Sequence, residues 1–199
     1  MNRGNYSMVS PQRKIIGVQK KMGNTGIAQQ QGTTRVIYDS LPLDGATSFR
    51  FFENSSTRQF PLTNQNSDGN KLGVGESMAI QRGYLSITTI DNLDPRIVTG
   101  VNTVASFSLA GITAGELSVE IANTQVIKKL ALRSWDPRFN KSSKHATDGS
   151  FSFDTDVIIS PLFEFVFIVR AAGYNPIPNS FLTLTIEGVG SIISPKQTM

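Results

Sequence analysis

The sequence has no cysteine in its 199 residues and only one histidine and one tryptophan. Without cysteine the chain has no disulfide bonds, thiolate nucleophiles or cysteine-ligated metal sites. Charged residues are also scarce, at 17% of the chain, whereas roughly a quarter is usual in a globular protein. The most apolar stretch, residues 157–172, is interrupted by a proline, a glutamate and an arginine, so we predict no membrane span. The first residues lack an apolar segment, so we also expect no secretory signal.

Residues able to carry out catalysis or to hold a metal ion are few. His145 lies beside Lys144 in a polar loop, and no Gly-x-Ser-x-Gly motif occurs, so a solvated loop histidine is preferred over a catalytic one. Asp148, Asp154 and Asp156 offer oxygen ligands of the kind that Ca²⁺ takes, but their spacing does not match an EF-hand loop. Solvated turn carboxylates are therefore preferred there. We expect no enzymatic activity, no cofactor and no metal site.

Positive charge is concentrated at the N-terminus. Residues 1–38 contain no acidic residue and have a net charge of +6, whereas residues 39–199 contain 13 basic and 15 acidic residues. The six N-terminal cations are Arg3, Arg13, Lys14, Lys20, Lys21 and Arg35. Cations unopposed by acids attract phosphate groups independently of sequence and in a salt-sensitive way, so non-specific contact with nucleic acid is one interpretation. A charged tail that keeps the protein soluble is the other.

Residues 1–34 are rich in glycine, asparagine and glutamine and show no sustained hydrophobic period. Such a segment buries too little apolar surface to offset its ordering entropy, so we predict a flexible N-terminal arm that becomes ordered only against a partner. Residues 35–199 are expected to form the folded domain. Ile15, Ile16 and Val18 are the exception within the arm, because they are suited to adding an edge strand to a neighbouring subunit as a clasp.

Beyond the arm, apolar residues alternate with a period of two in several segments, which is typical of half-buried β-strands. In the segment 180–193, Gly188 and Gly190 indicate a bulge or a close approach of two backbones. The positions expected to face the core include Phe49, Phe51, Leu117, Val119, Ile121, Phe163, Phe165, Phe167, Leu182, Leu184 and Ile186. About eight to ten such strands without helical periodicity predict an all-β sandwich or barrel. A jelly-roll-like sandwich is preferred, and other Greek-key sandwiches remain open.

Three features give the chain a likeness to a known class of proteins. They are the arm of residues 1–34, the segment 58–64 (RQFPLTN) leading into 70–77 (NKLGVGES), and the segments 161–165 (PLFEF) and 180–188 (SFLTLTIEG). In these features the chain resembles capsid or capsid-associated structural proteins of bacteriophages. The resemblance implies a jelly-roll-like body, assembly in many copies and no catalysis. It also implies localisation in the virion, with assembly in the host cytoplasm.

Two functions therefore compete. The first is a viral structural protein that self-assembles into or onto an icosahedral phage capsid, its arm contacting neighbouring subunits, with copies of itself and other virion proteins as partners. The second is a non-catalytic β-sandwich module that binds a carbohydrate or protein ligand through exposed aromatic side chains. Trp135, Phe139 and Tyr174 are the candidate aromatics. A hydrolase on the same scaffold is disfavoured by the lone histidine and the absence of cysteine.

Overall fold

A computed structural model of the protein describes residues 30–65, 70–74, 76–92, 101–105, 110–135, 150–151, 153 and 157–193. The strands in these ranges are β1 (Gln30–Pro42), β2 (Ser48–Phe51), β3 (Ser77–Ile90), β4 (Val101–Ala105), β5 (Glu116–Ile121), β6 (Thr124–Ala131), β7 (Ser150–Phe151), β8 (Ile158–Ile159), β9 (Phe165–Arg170) and β10 (Ser180–Ile193). A short helix, α1, spans Ala110–Thr113, and 3₁₀ turns span Ser55–Thr57 and Leu132–Trp135.

The strands form two antiparallel sheets. The first has the strand order β1-β10-β3-β4, and the short strands β7 and β8 also pair with β3. β10 pairs along nearly the whole of one edge of β3. The other edge of β3 is shared by three strands, with β4 opposite residues 86–90, β7 opposite residues 83–84 and β8 opposite residues 78–79. The second sheet has the order β2-β9-β5-β6. The all-β sandwich expected from the sequence is thus confirmed.

The two sheets bury one hydrophobic core between them. Leu182, Leu184 and Ile186 of β10 are fully buried, as are Leu117 and Val119 of β5. Side chains two positions apart on a strand point to the same face, so these positions face the opposing sheet, as the alternating pattern predicts. β9 does not show this alternation, because every side chain from Phe165 to Val169 is buried, whichever face of the sheet it points to. A central strand covered on both faces reads as a continuous apolar run rather than as an alternation.

Phenylalanine rings fill one part of this core. Phe52, which directly follows β2, packs its ring 5.2 Å from that of Phe165 and edge-on to that of Phe167, centroid to centroid 5.9 Å. Aromatic pairs in such geometry contribute about 0.5–1.5 kcal/mol beyond their buried area. The prediction that Phe163 shares this face is wrong, because Phe163 lies in the loop before β9 and its side chain is 43% exposed.

The first strand begins earlier than the predicted arm ends. Residues 30–34, predicted to lie in the arm, belong to β1 and pair with residues 189–193 of β10. These residues carry no apolar alternation, so the hydrophobic pattern does not reveal them, and they are held in the sheet by pairing with β10. A second difference lies at residues 104–110, where one strand was expected. There β4 ends at Ala105 and α1 begins at Ala110.

Gly188 marks an irregularity between β10 and β3. The register shifts between Glu187 and Gly188, so that Gln81 of β3 has no partner residue on β10. A Cβ atom at Gly188 would lie 2.1 Å from the carbonyl oxygen of Ala79, which is closer than any side chain tolerates. The close backbone approach predicted for Gly188 is therefore confirmed, and it accompanies a β-bulge.

Loops gather at the two ends of the sandwich. At one end the Ala171 N–H donates to the Thr47 carbonyl at 2.9 Å, which joins the loops that follow β1 and β9. At the other end the Ala122 N–H donates to the Glu164 carbonyl at 2.8 Å. We call these the 43–47 end and the 161–164 end.

Candidate assembly surfaces

Three exposed apolar side chains lie at the 161–164 end. Val74 is 83% exposed, Leu162 is 55% exposed and Phe163 is 43% exposed. The Leu162 N–H donates to the Leu72 carbonyl at 3.0 Å, so the two loops that carry these side chains are joined. Scattered surface apolar residues are ordinary, but a group of them on adjoining loops indicates an interaction site. We refer to Val74, Leu162 and Phe163 as the apolar patch.

The loops beneath the apolar patch are held in place by several contacts. Leu72 is fully buried and forms a β-bridge with Pro161. Glu76 closes a turn with Gly73, because its N–H donates to the Gly73 carbonyl at 3.0 Å and its carboxylate accepts from the Gly73 N–H at 3.3 Å. The patch is therefore presented by a fixed backbone, so less ordering entropy opposes a partner that binds to it.

The first strand starts at the same end. Ser77, the first residue of β3, pairs with Ser191 of β10, which in turn pairs with Gly32 of β1. Val74 lies three residues before Ser77, so the apolar patch flanks the place where the N-terminal arm joins the sheet. The predicted clasp ends at Val18, 12 residues before β1. An extended chain of that length spans at most about 40 Å.

Arg35, one of the six predicted arm cations, lies within β1. Its Nη1 atom is 2.7 Å from Oε2 of Glu76, and its side chain is 19% exposed. This ion pair ties the loop before β3 to β1, so Arg35 is already engaged within its own subunit. The other predicted contact residues lie outside the described residues, namely Arg3, Arg13, Lys14, Lys20, Lys21, Ile15, Ile16 and Val18.

Part of the free edge of β1 is covered by the side chain of Asn64. Its Oδ1 accepts from the Tyr38 N–H at 2.9 Å, and its Nδ2 donates to the Val36 carbonyl at 2.9 Å. The Thr63 hydroxyl donates to the Tyr38 carbonyl at 2.9 Å. These contacts occupy the backbone groups that an added strand needs, which is one way in which proteins protect sheet edges. This stretch of β1 is therefore not open to strand addition.

A buried ion pair fixes the loop after β2 to β1. Asp39 is 0% exposed, and its carboxylate accepts from Arg58 at 3.0 and 2.6 Å and from the Phe52 N–H at 2.6 Å. Burial raises the pKa of Asp39 above its ordinary value, while the Arg58 guanidinium and the Phe52 N–H act in the opposite direction. Because these donors engage both carboxylate oxygens, we interpret the pair as a structural fastening of the loop.

Of the three candidate ligand-binding aromatics, the structure describes the side-chain contacts of Tyr174. The Tyr174 ring lies 6.2 Å from that of Phe49, centroid to centroid, and its hydroxyl accepts from the Gly45 N–H at 3.3 Å. Burial raises the pKa of this hydroxyl. Tyr174 therefore anchors the 43–47 end, with its side chain half-buried. Trp135 ends a 3₁₀ turn, and Phe139 lies outside the described residues.

A shallow pocket of about 250 Å³ lies at the 43–47 end. It is lined mainly by apolar atoms, among them those of Pro42, Leu43 and Pro176 to Pro178. Ligand sites usually measure about 300–1,000 Å³. The small volume of this pocket therefore does not favour the ligand-binding module.

The predicted chemical candidates do not form a described site. His145, Asp148, Asp154 and Asp156 lie outside the described residues. Among the residues that the structure does describe, no group of three histidine, aspartate or glutamate side chains is placed to hold a metal ion. Within the same residues, no helix has the length and apolar character needed to cross a membrane.

No protein-family model matches this chain, and no curated protein matches its sequence significantly.

Proposed function

We propose that this protein is a viral structural protein that self-assembles into or onto an icosahedral phage capsid, without catalytic activity. In this proposal the N-terminal arm of each subunit contacts a neighbouring subunit. The strand order carries the proposal most directly. A jelly roll consists of two four-stranded sheets connected as two Greek keys, and it is a common fold of viral shell proteins.

The strand order supports a jelly roll when two local features are taken into account. β7 and β8 lie in sequence along one edge of β3 and count as one interrupted strand, and β4 is an added hairpin partner of β3. The eight remaining strands then have the orders 1-8-3-6 and 2-7-4-5. Two nested Greek keys have this arrangement, in which the chain repeatedly crosses from one sheet to the other.

The apolar patch supports the assembly part of the proposal. A shell requires complementary surfaces on every subunit, and an exposed apolar group on fixed loops is suited to being covered. The occupant that we propose is the clasp, Ile15, Ile16 and Val18, of a neighbouring copy. The arm joins β1 beside the patch, and it is long enough to reach an adjacent subunit. The apolar residues of the clasp also match the apolar character of the patch.

Light scattering coupled to size-exclusion chromatography, followed by negative-stain microscopy, tests the proposal on the full chain. We expect particles or large oligomers, and we expect the variant Leu162→Ser/Phe163→Ser to shift the protein towards monomer. Val126→Ser is the matched control, because Val126 is similarly exposed, at 44%, but lies on β6. A strictly monomeric wild-type protein at high concentration would contradict the proposal and favour the binding module.

A second pair of variants tests the proposed occupant of the patch. Ile15→Ser/Ile16→Ser should weaken assembly as much as the patch variant does, whereas Val9→Ser, also in the arm, should not. Because the two pairs are proposed to contact one another, combining them should add little further loss. Full additivity of the two losses would show that the arm and the patch act at different places.

A further inference from the structure

The described cations divide sharply into two groups. Six of the nine described lysine and arginine residues form ion pairs with carboxylates, namely Arg35, Arg50, Arg58, Lys71, Arg82 and Arg170. The remaining three are Lys128, Lys129 and Arg133. All three are exposed, and no carboxylate in the described part of the chain pairs with them. The unneutralised positive charge of the described body therefore lies on β6 and the turn that follows it.

The backbone of β6 is irregular where the two lysines lie. Val119 of β5 pairs with Ile127 and Leu117 pairs with Leu130, so Lys128 and Lys129 together lie opposite the single residue between them on β5. Such a bulge re-aims the side chains that it carries. Lys129 has a φ of 48°, a left-handed conformation that roughly costs 1–2 kcal/mol for a residue with a Cβ atom. Strain of this kind often marks a functional position.

The sequence continues the positive charge beyond β6. Residues 128–144 contain six lysine and arginine residues and one acid, a net charge of +5, while the rest of residues 39–199 is correspondingly acidic. A count over the whole body hides this unevenness, because the two parts nearly cancel. The basic arm is thus not the only basic region of the chain.

We infer that Lys128, Lys129 and Arg133 form a second, arm-independent contact site for the phosphates of nucleic acid. Asp39 of β1 contacts Phe52, which follows β2, so β1 lies beside the β2 edge of the second sheet. β6 is the opposite edge strand of that sheet, so the site lies on the edge of the sandwich away from β1. It is therefore distinct from the place where the arm joins the sheet. The inference goes beyond the proposed function, because it does not require a shell.

Protection of the sheet edge is the competing explanation. Lysines and bulges on an edge strand prevent other strands from pairing with it, and β6 has both. Edge protection depends on a charge of either sign, whereas phosphate binding depends on a positive one. A membrane surface is less favoured, because membrane-binding faces combine cations with broad exposed apolar area and Val126 is the sole exposed large apolar side chain among the described residues of β6.

Salt-dependent binding to a DNA duplex of random sequence tests the site on the full-length protein. In Lys128→Gln/Lys129→Gln we expect the affinity to fall about tenfold or more at 0.1 M salt, and the slope of log affinity against log salt to fall by roughly two. The matched control is Lys71→Gln/Arg170→Gln, which removes the same charge from cations that carboxylates already neutralise. The control should retain the wild-type slope. Lys128→Glu/Lys129→Glu keeps the edge of β6 charged and should abolish the contribution of these two positions to DNA binding.

Three results would overturn the inference. Equal losses of DNA affinity in Lys128→Gln/Lys129→Gln and in the control variant would mean that only the net charge of the protein matters. Unchanged DNA binding in both lysine variants, with aggregation of the glutamine variant alone, would leave edge protection as the role of the lysines. Loss of binding to phosphatidylserine vesicles without loss of DNA binding would indicate a membrane surface. If the inference holds, the same variants should assemble as the wild type does. Failure of the phosphate-contact site would therefore appear in DNA binding alone, whereas failure of the proposed function would appear in the assembly of the wild-type protein.

Discussion

Replacement of Arg58 by alanine tests the account of the buried ion pair most directly. Asp39 is 0% exposed and would keep only backbone donors, the N–H groups of Phe52, at 2.6 Å, and of Ser40. Removal of one partner from a buried ion pair typically costs about 3–5 kcal/mol, because it leaves an uncompensated charge. Urea unfolding followed by circular dichroism should therefore show a loss of about 3–5 kcal/mol in Arg58→Ala.

The pH dependence of this loss follows from the direction of the pKa shift. Burial already raises the pKa of Asp39 above its ordinary value of 3.8, and removing Arg58 removes an influence that lowers it. The folded variant therefore holds the proton at pH values where the unfolded chain has lost it. The stability that this protonation contributes is fully present below the ordinary pKa and is lost as pH rises through the folded-state pKa. The difference from wild type should accordingly be small in acid and grow towards neutral pH.

Two further variants show whether the buried charge is responsible. Asp39→Asn in the Arg58→Ala background removes the charge and retains an acceptor for the Phe52 N–H, so the double variant should be more stable than Arg58→Ala alone. Arg170→Ala is the control, because this side chain is 59% exposed and its pair with Glu116 is worth less than about 1 kcal/mol. A loss below about 1 kcal/mol in Arg58→Ala, or one independent of pH, would refute the reasoning.

Two other substitutions test the core and the bulge. Gly188→Ala places a Cβ atom 2.1 Å from the Ala79 carbonyl oxygen, and relief requires a backbone shift that we expect to lower the unfolding free energy by about 1–3 kcal/mol. Equal stability of Gly188→Ala and wild type in urea would contradict the described register. Leu184→Ala should cost about 2–5 kcal/mol, because the side chain is fully buried, whereas Val36→Ala at a 42% exposed position should stay within about 0.5 kcal/mol.

The strands were predictable wherever one face of a sheet is buried and the other is not. Residues 116–121 and 180–193 alternate because the core selects every second side chain, and the structure places both segments in strands. Gly188 was likewise predictable, since glycine within a strand indicates a close backbone approach. The start of β1 was not, because its first residues are held by pairing with β10 rather than by burial of their own apolar side chains.

The surfaces were harder to predict because they depend on contacts between distant segments. Asn64 covers the edge of β1 from 26 residues away, and no local pattern marks it. Val74 and Leu162 lie 88 residues apart in the sequence, and only the fold shows that their two loops adjoin. The charge of β6 is hidden for a different reason, because the net charge of residues 39–199 combines it with the acidic remainder of the body.

Whether the edges of β1 and β6 can accept an added strand bears on how the subunits contact one another. The predicted clasp was expected to add an edge strand, but Asn64 occupies part of the edge of β1, and a bulge with Lys128 and Lys129 interrupts that of β6. The arm is itself basic, so the lysines of β6 would also repel it. The apolar patch carries neither obstacle. The proposed contact is accordingly one of side-chain burial, and its strength should change little with salt, in contrast to the strongly salt-dependent contact proposed for β6.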